Sequence, residues 1–88
     1  MSSNTTATAT KKAIVHIRLK DGVLDPQGVT IHKALQTMGY GKALAVRSGK
    51  FFEVEFADDS PESRKQLQDM CEKTLTNPVI ETFTIQWL

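Results

Sequence analysis

The sequence predicts an α+β domain with the element order βαββαβ: a four-stranded antiparallel sheet carrying two helices on one face. Three observations predict it. Apolar and polar residues alternate in residues 13–19 and again in 80–87, the period of a half-buried strand. Apolar residues recur at helical spacing in residues 31–38 and 67–75. Between those two stretches lies ALAVRSGKFFEVEF, two short apolar runs around Ser48, Gly49 and Lys50.

The first strand turns Val15, Ile17 and Leu19 to one face and His16 and Arg18 to the other. Asp21-Gly22 marks a turn, and Asp25-Pro26 sets an N-cap acceptor before a proline at the first helical position. Ile31, Ala34, Leu35 and Met38 form the apolar stripe of the helix that follows, and Gly39 ends it. In the central pair of strands, a three-residue loop at 48–50 pairs Val46 with Phe52. That register brings Leu44 and Val46 to the face of Phe52, Val54 and Phe56. Ser60-Pro61 repeats the cap-then-proline start, Leu67, Met70, Cys71 and Leu75 line the second helix, and Asn77-Pro78 stops it. The last strand alternates through Phe83, Ile85 and Trp87. Two right-handed crossovers around a hairpin give a ferredoxin-like layer with strand order 4-1-3-2. Its open face would show His16, Arg18, Glu53, Glu55, Thr82, Thr84 and Gln86, with Arg18 across from Glu53 or Glu55.

Eighty-eight residues hold one small domain. Residues 1–11, rich in Ser, Thr and Ala, read as a disordered tail, and residues 12–88 as the domain. A net charge of +1 argues against a nucleic-acid binder, which would carry a basic stripe. No apolar run is long enough to span a membrane, and the opening residues lack the pattern of a secretory signal. A single cysteine, Cys71, fits a reducing, cytoplasmic setting.

No catalytic set emerges from the residues. His16, His32 and Cys71 have no metal-ligand spacing, and Cys71 sits on an apolar helical stripe, where a thiol is a core group. Glu53 with Glu55 and Asp58 with Asp59 read as surface or capping charges. No glycine-rich phosphate loop precedes either helix. The expectation is an absence of catalytic, metal and cofactor residues on this chain.

Two connections are unusual. Val23 and Leu24 put apolar side chains beside Asp25 and Gln27, in a loop where polar residues are the rule. Asn77, Val79 and Ile80 do the same before the last strand. One reading makes Val23 or Leu24 a staple at the helix entry and Gly28 a close-packing residue on the sheet. The other makes the loop a docking surface, with Gly28 admitting a second backbone. Candidate partner contacts are therefore Val23, Leu24, Asp25, Gln27, Asn77, Val79 and Ile80, and candidate self-association residues are Ile14 and Phe51 on the open face.

The runs LKDGVLDPQG, IHKAL, MGY, VRSGKFFEVEF and MCEKTLTNPVIETF closely resemble the PurS family, the small subunit of phosphoribosylformylglycinamidine synthase. The resemblance spans residues 12–83. It implies an ATP- and magnesium-dependent ligase of purine biosynthesis built from three chains. A glutaminase subunit releases ammonia, and a large synthetase subunit activates formylglycinamide ribonucleotide and forms the amidine. The small subunit bridges them, supports ammonia transfer and assembles as a dimer or tetramer. The rival from another class is a stand-alone ligand-sensing module of the ACT type, which shares the predicted element order.

Overall fold

The computed structural model describes residues 9–88 of the chain. The expected tail falls, for residues 1–8, outside the described residues, and regular structure begins at Lys11. The elements are β1 (Lys11–Leu19), α1 (Pro26–Thr37), β2 (Gly49–Phe56), α2 (Pro61–Met70) and β3 (Glu81–Trp87). A π-helical turn, Cys71–Leu75, widens the end of α2, and the Thr76 hydroxyl donates to the Cys71 carbonyl at 2.7 Å across it.

The sheet has three strands, in the order β2-β1-β3, all antiparallel. This corrects the four-stranded βαββαβ expectation: the element order is βαβαβ, and residues 42–48 form no strand. Ser48-Gly49-Lys50 is not a hairpin loop either, because Gly49 and Lys50 already belong to β2, opposite Arg18 and Ile17. The order of the remaining three strands is the one left when the expected second strand is struck out.

The physical reason lies in where the polar groups of residues 43–48 go. His32 Nε2 donates to the Ala43 carbonyl at 2.7 Å; a carbonyl can only accept, which fixes the ring proton on that nitrogen. The Ser48 N–H and hydroxyl each donate to the Asp25 carboxylate at 2.6 Å. Arg47 donates to the Leu19 carbonyl at 2.6 Å and pairs with Asp21. The chain is thus tethered along the start of α1 and the loop before it. Gly28, the one buried residue of α1, permits this, since a Cβ there would collide with the Val46 carbonyl. The close approach that Gly28 allows is to this chain's own backbone, not to the sheet.

Facing residues in the ladders share a side. The inner face carries Ala13, Val15 and Ile17 of β1, Phe52, Val54 and Phe56 of β2, and Phe83, Ile85 and Trp87 of β3. Ala13, Val15 and Ile17 join Leu67 and Cys71 of the α2 segment in the fully buried core, with Met70 and Leu75 packed against it. Arg64 lies over the Trp87 ring at 4.9 Å, and Phe56 meets the same ring at 5.5 Å, closing that end. The α2 segment therefore covers the sheet as its stripe requires.

No residue of α1 belongs to that core or packs against it. Ile31 and Met38 of its expected sheet-facing stripe stand exposed, at 40% and 67%. Phe52, on the inner face of β2, is also exposed, and β2 contains no buried residue. Among the described residues, no helix covers the Phe52 region of the inner face.

Candidate functional site

The docking candidates cluster at one end of the sheet. Leu19 of β1 faces Glu81 of β3, so the loop leaving β1 and the turn entering β3 lie side by side. A backbone bond joins them: the Lys20 N–H donates to the Ile80 carbonyl at 2.8 Å. Each loop is ordered from within. The Val23 N–H donates to the Lys20 carbonyl at 3.1 Å, and Gly22 takes a positive φ of 86° that its missing side chain permits. In the second loop the N–H groups of Ile80 and Glu81 donate to the Asn77 carbonyl at 3.1 and 2.8 Å. The Asn77 side chain accepts from the Val79 N–H at 3.1 Å, an Asx turn. Asn77 is thus occupied in shaping the turn that presents Val79.

On this frame Leu24 is 72% exposed, Val79 78% and Ile80 37%, whereas Val23 is half-buried. Rigid loops that hold large aliphatic side chains in water have the character of a contact surface. Gln27 is exposed on the first turn of α1 and lines a small groove of about 260 Å³ with Ser48, Lys50 and Glu81. Lys50 and Glu81 pair there at 3.6 Å.

Asp25 turns inward instead. Its carboxylate caps α1 through the Gly28 N–H at 3.0 Å and holds Ser48 as described. The Ser48 hydroxyl, then the Ser48 and Gly28 N–H groups, hold its pKa below the usual carboxylate value. A carboxylate accepting three such bonds is a structural anchor. Sequence reasoning recognised the cap but missed the tether to Ser48, and with it the roles of His32 and Arg47. No local signal announces partners 11 and 23 residues apart.

Ile14 and Phe51 both lie on the outer face of the sheet, in neighbouring strands but not opposite one another. Ile14 faces Glu53 and Phe51 faces His16. Phe51 is 63% exposed and Ile14 half-buried. Arg18 does not face a glutamate, as expected from sequence; its neighbours are Gly49 and Thr82, and Glu53 pairs with Lys12 at 3.8 Å. A groove of about 650 Å³ opens on this face at the Arg18 end.

The reactive side chains point away from chemistry. Burial pushes the Cys71 thiol up, with Glu72 adding to the effect, which leaves it a poor nucleophile. Asp58 accepts from the Ser60 N–H at 3.0 Å and the Ser63 hydroxyl at 2.7 Å at the start of α2, and the Ser60 and Ser63 side chains, then the Ser60 N–H, bring its pKa down to about 2. Among the described residues no three His, Cys, Asp or Glu side chains stand close enough to hold a metal ion.

Comparison with known proteins is consistent across the whole folded part. The PurS family model, described as phosphoribosylformylglycinamidine (FGAM) synthase, matches residues 12–88. The PurS subunit of Archaeoglobus fulgidus is 40% identical over 76 residues, covering 85% of this chain and 95% of its own length. The Bacillus subtilis PurS subunit is 39% identical over 72 residues, covering 82% and 86%. The crystal structure of Methanocaldococcus jannaschii PurS, a subunit of formylglycinamide ribonucleotide amidotransferase, superposes with a TM-score of 0.79. It is 35% identical, over 89% of this chain and 95% of that one. The structure of PurLQS from Thermotoga maritima contains a chain that matches with a TM-score of 0.80 at 26% identity, over 91% and 99%. Sequence, length and overall fold agree, and the chain belongs to the PurS family of phosphoribosylformylglycinamidine synthase subunits.

Proposed function

We propose that this chain is the adaptor of a glutamine- and ATP-dependent phosphoribosylformylglycinamidine synthase in the cytoplasm. It joins a glutaminase subunit to a large synthetase subunit and keeps ammonia from escaping between them. ATP and magnesium act on the synthetase in this reading, and the chain itself contributes surfaces. The observation that carries it is the pair of ordered loops, joined by the Lys20–Ile80 bond, that hold Leu24, Val79 and Ile80 in solvent. Fixing two active sites in one assembly raises the effective concentration of the transferred molecule at the second site.

Self-association is the second part of the proposal, and α1 supports it better than the outer sheet face does. An isolated 12-residue helix is marginal in water, and α1 lies off the core with Ile31 and Met38 exposed. The uncovered inner face around Phe52 supplies the complementary surface, so a second copy satisfies both. Ile14 and Phe51, by contrast, sit among Lys12, Arg18, Glu53 and Glu55, a charged setting that disfavours an apolar interface.

The decisive experiment is reconstitution of the glutaminase and synthetase with and without this chain. The expected result is that Leu24→Glu abolishes glutamine-fed amidine formation, leaves the ammonia-fed reaction intact and keeps a native circular dichroism spectrum. Full glutamine-fed turnover without the chain overturns the proposal. Unfolding of the variant assigns Leu24 to the core and removes the loop as a docking surface.

A further inference from the structure

We propose that the groove on the outer sheet face binds a small phosphate ester bearing a planar ring, with the phosphate at Arg18 and the ring on Phe51. The groove, at about 650 Å³, falls in the size range of small-molecule sites. Its lining contains cationic, hydroxyl and aromatic side chains and no carboxylate. Arg18 stands mid-floor, flanked by Gly49 on one strand and Thr82 on the other. Among the described residues it makes no ion pair.

Gly49 is the second observation. A side chain there would meet the Ile17 carbonyl at 2.6 Å and the Arg18 Cβ at 3.4 Å, so the glycine both joins the ladder and leaves open the space beside the root of the Arg18 side chain. Arg47 forms the rim. It is held by the Leu19 carbonyl and by Asp21, whose carboxyl is lowered chiefly by Arg47 and to a lesser degree by Arg18. Both arginines therefore act on the same region, and their two positive charges exceed the single negative charge of Asp21. Planar guanidinium groups match phosphate oxygens in bidentate fashion, and the Thr82 and Thr84 hydroxyls add donors along β3.

Phe51 gives the aromatic element. It lies two residues along β2 from Gly49, about 7 Å by strand rise. Its ring is 63% exposed and tilted 43° to His16 at a centroid distance of 6.2 Å. An exposed ring beside a cationic floor suits a planar ring joined to a phosphate by a short linker. An acidic protein segment shares the charge but leaves the ring and the glycine gap without purpose.

Amide chemical shifts of the full chain, titrated separately with AMP, inorganic phosphate and adenosine, test the proposal. Saturable shifts are expected for Arg18, Gly49, Thr82 and Thr84 with AMP and with phosphate, AMP binding tighter and adenosine at least about tenfold weaker. Arg18→Gln is expected to weaken AMP at least about tenfold. Phe51→Ala should bring AMP down to the affinity of phosphate. Both positions are exposed, and circular dichroism checks the fold; Thr84→Val, expected to weaken AMP and phosphate alike, is the second variant. Absence of saturation at millimolar ligand, shifts confined elsewhere, or unchanged affinity in Arg18→Gln overturns it. So does a polyglutamate peptide that displaces AMP while binding more tightly.

Discussion

The two helices start alike and end differently. Asp25-Pro26 and Ser60-Pro61 each place a side-chain acceptor before a proline, and in both the cap accepts from a backbone N–H three residues on. Beyond that point α2 is the more polar helix, yet its few apolar residues all find the sheet, with Leu67 and Cys71 completely buried. The more apolar α1 buries only a glycine. The apolar stripe of α1 outruns the contacts that the described residues offer it, which is how the α1 half differs from the α2 half. The α2 half makes the subunit stable, and in the proposed assembly the α1 half makes it adhesive.

The contrast can be broken most forcefully in the α2 half. Leu67→Ala removes a fully buried side chain and is expected to cost about 2–5 kcal/mol. At about 4–8 °C of Tm per kcal/mol for a domain this size, thermal unfolding should show a large drop. Ile31→Ala in α1, measured in dilute protein, should move stability by no more than about 0.5 kcal/mol. Equal losses in the two variants would mean that α1 is packed after all.

Gly28→Ala attacks the tether between α1 and residues 43–48. Its Cβ would press on the Val46 carbonyl and the Asp25 carboxylate. Overpacking of this kind costs about 1–3 kcal/mol, and here it should appear as faster hydrogen exchange at the Ser48 amide while the amides of β3 stay protected. Exchange accelerated uniformly would show that the tether is part of the global core.

Met38→Glu tests the adhesive side alone. It should shift sedimentation toward the monomer with no change in the circular dichroism spectrum, and an unchanged sedimentation profile would remove α1 from the interface.

The smallest effect is electrostatic. The pKa of Asp58, about 2 in the folded chain, lies below its ordinary value of 3.8. Its contribution to the start of α2 is complete above the ordinary value and is lost as pH falls toward about 2. Asp58→Asn should flatten the acid limb of a stability profile between about 4 and 2. Asp25 shifts in the same direction through Ser48 and Gly28, so its hold on the start of α1 also weakens as the pH falls below the ordinary carboxylate value.

The caps, the helices and the facing of each paired strand were legible because each depends on residues within a few positions. Asp25 and Ser60 cap as their neighbours dictate, and alternation in β1 and β3 assigns the inner and outer faces correctly. The exposed setting of Leu24 and Val79 followed from apolar residues standing where turns are usually polar. The error at residues 42–48 has a definite origin. Leu44 and Val46 alternate like a strand, but alternation describes side chains and carries no information about which backbone will accept the bonds.

By itself the sequence determined the helices, their caps and the two faces of β1, β2 and β3, since these are local consequences of spacing and of proline and glycine chemistry. Only the tertiary structure decided that the sheet has three strands and that α1 stands off it. Those outcomes depend on Asp25 reaching Ser48, His32 reaching Ala43 and Gly28 admitting Val46. Each is a contact between groups distant in the chain, settled by which acceptor lies within hydrogen-bonding reach once the helix has formed.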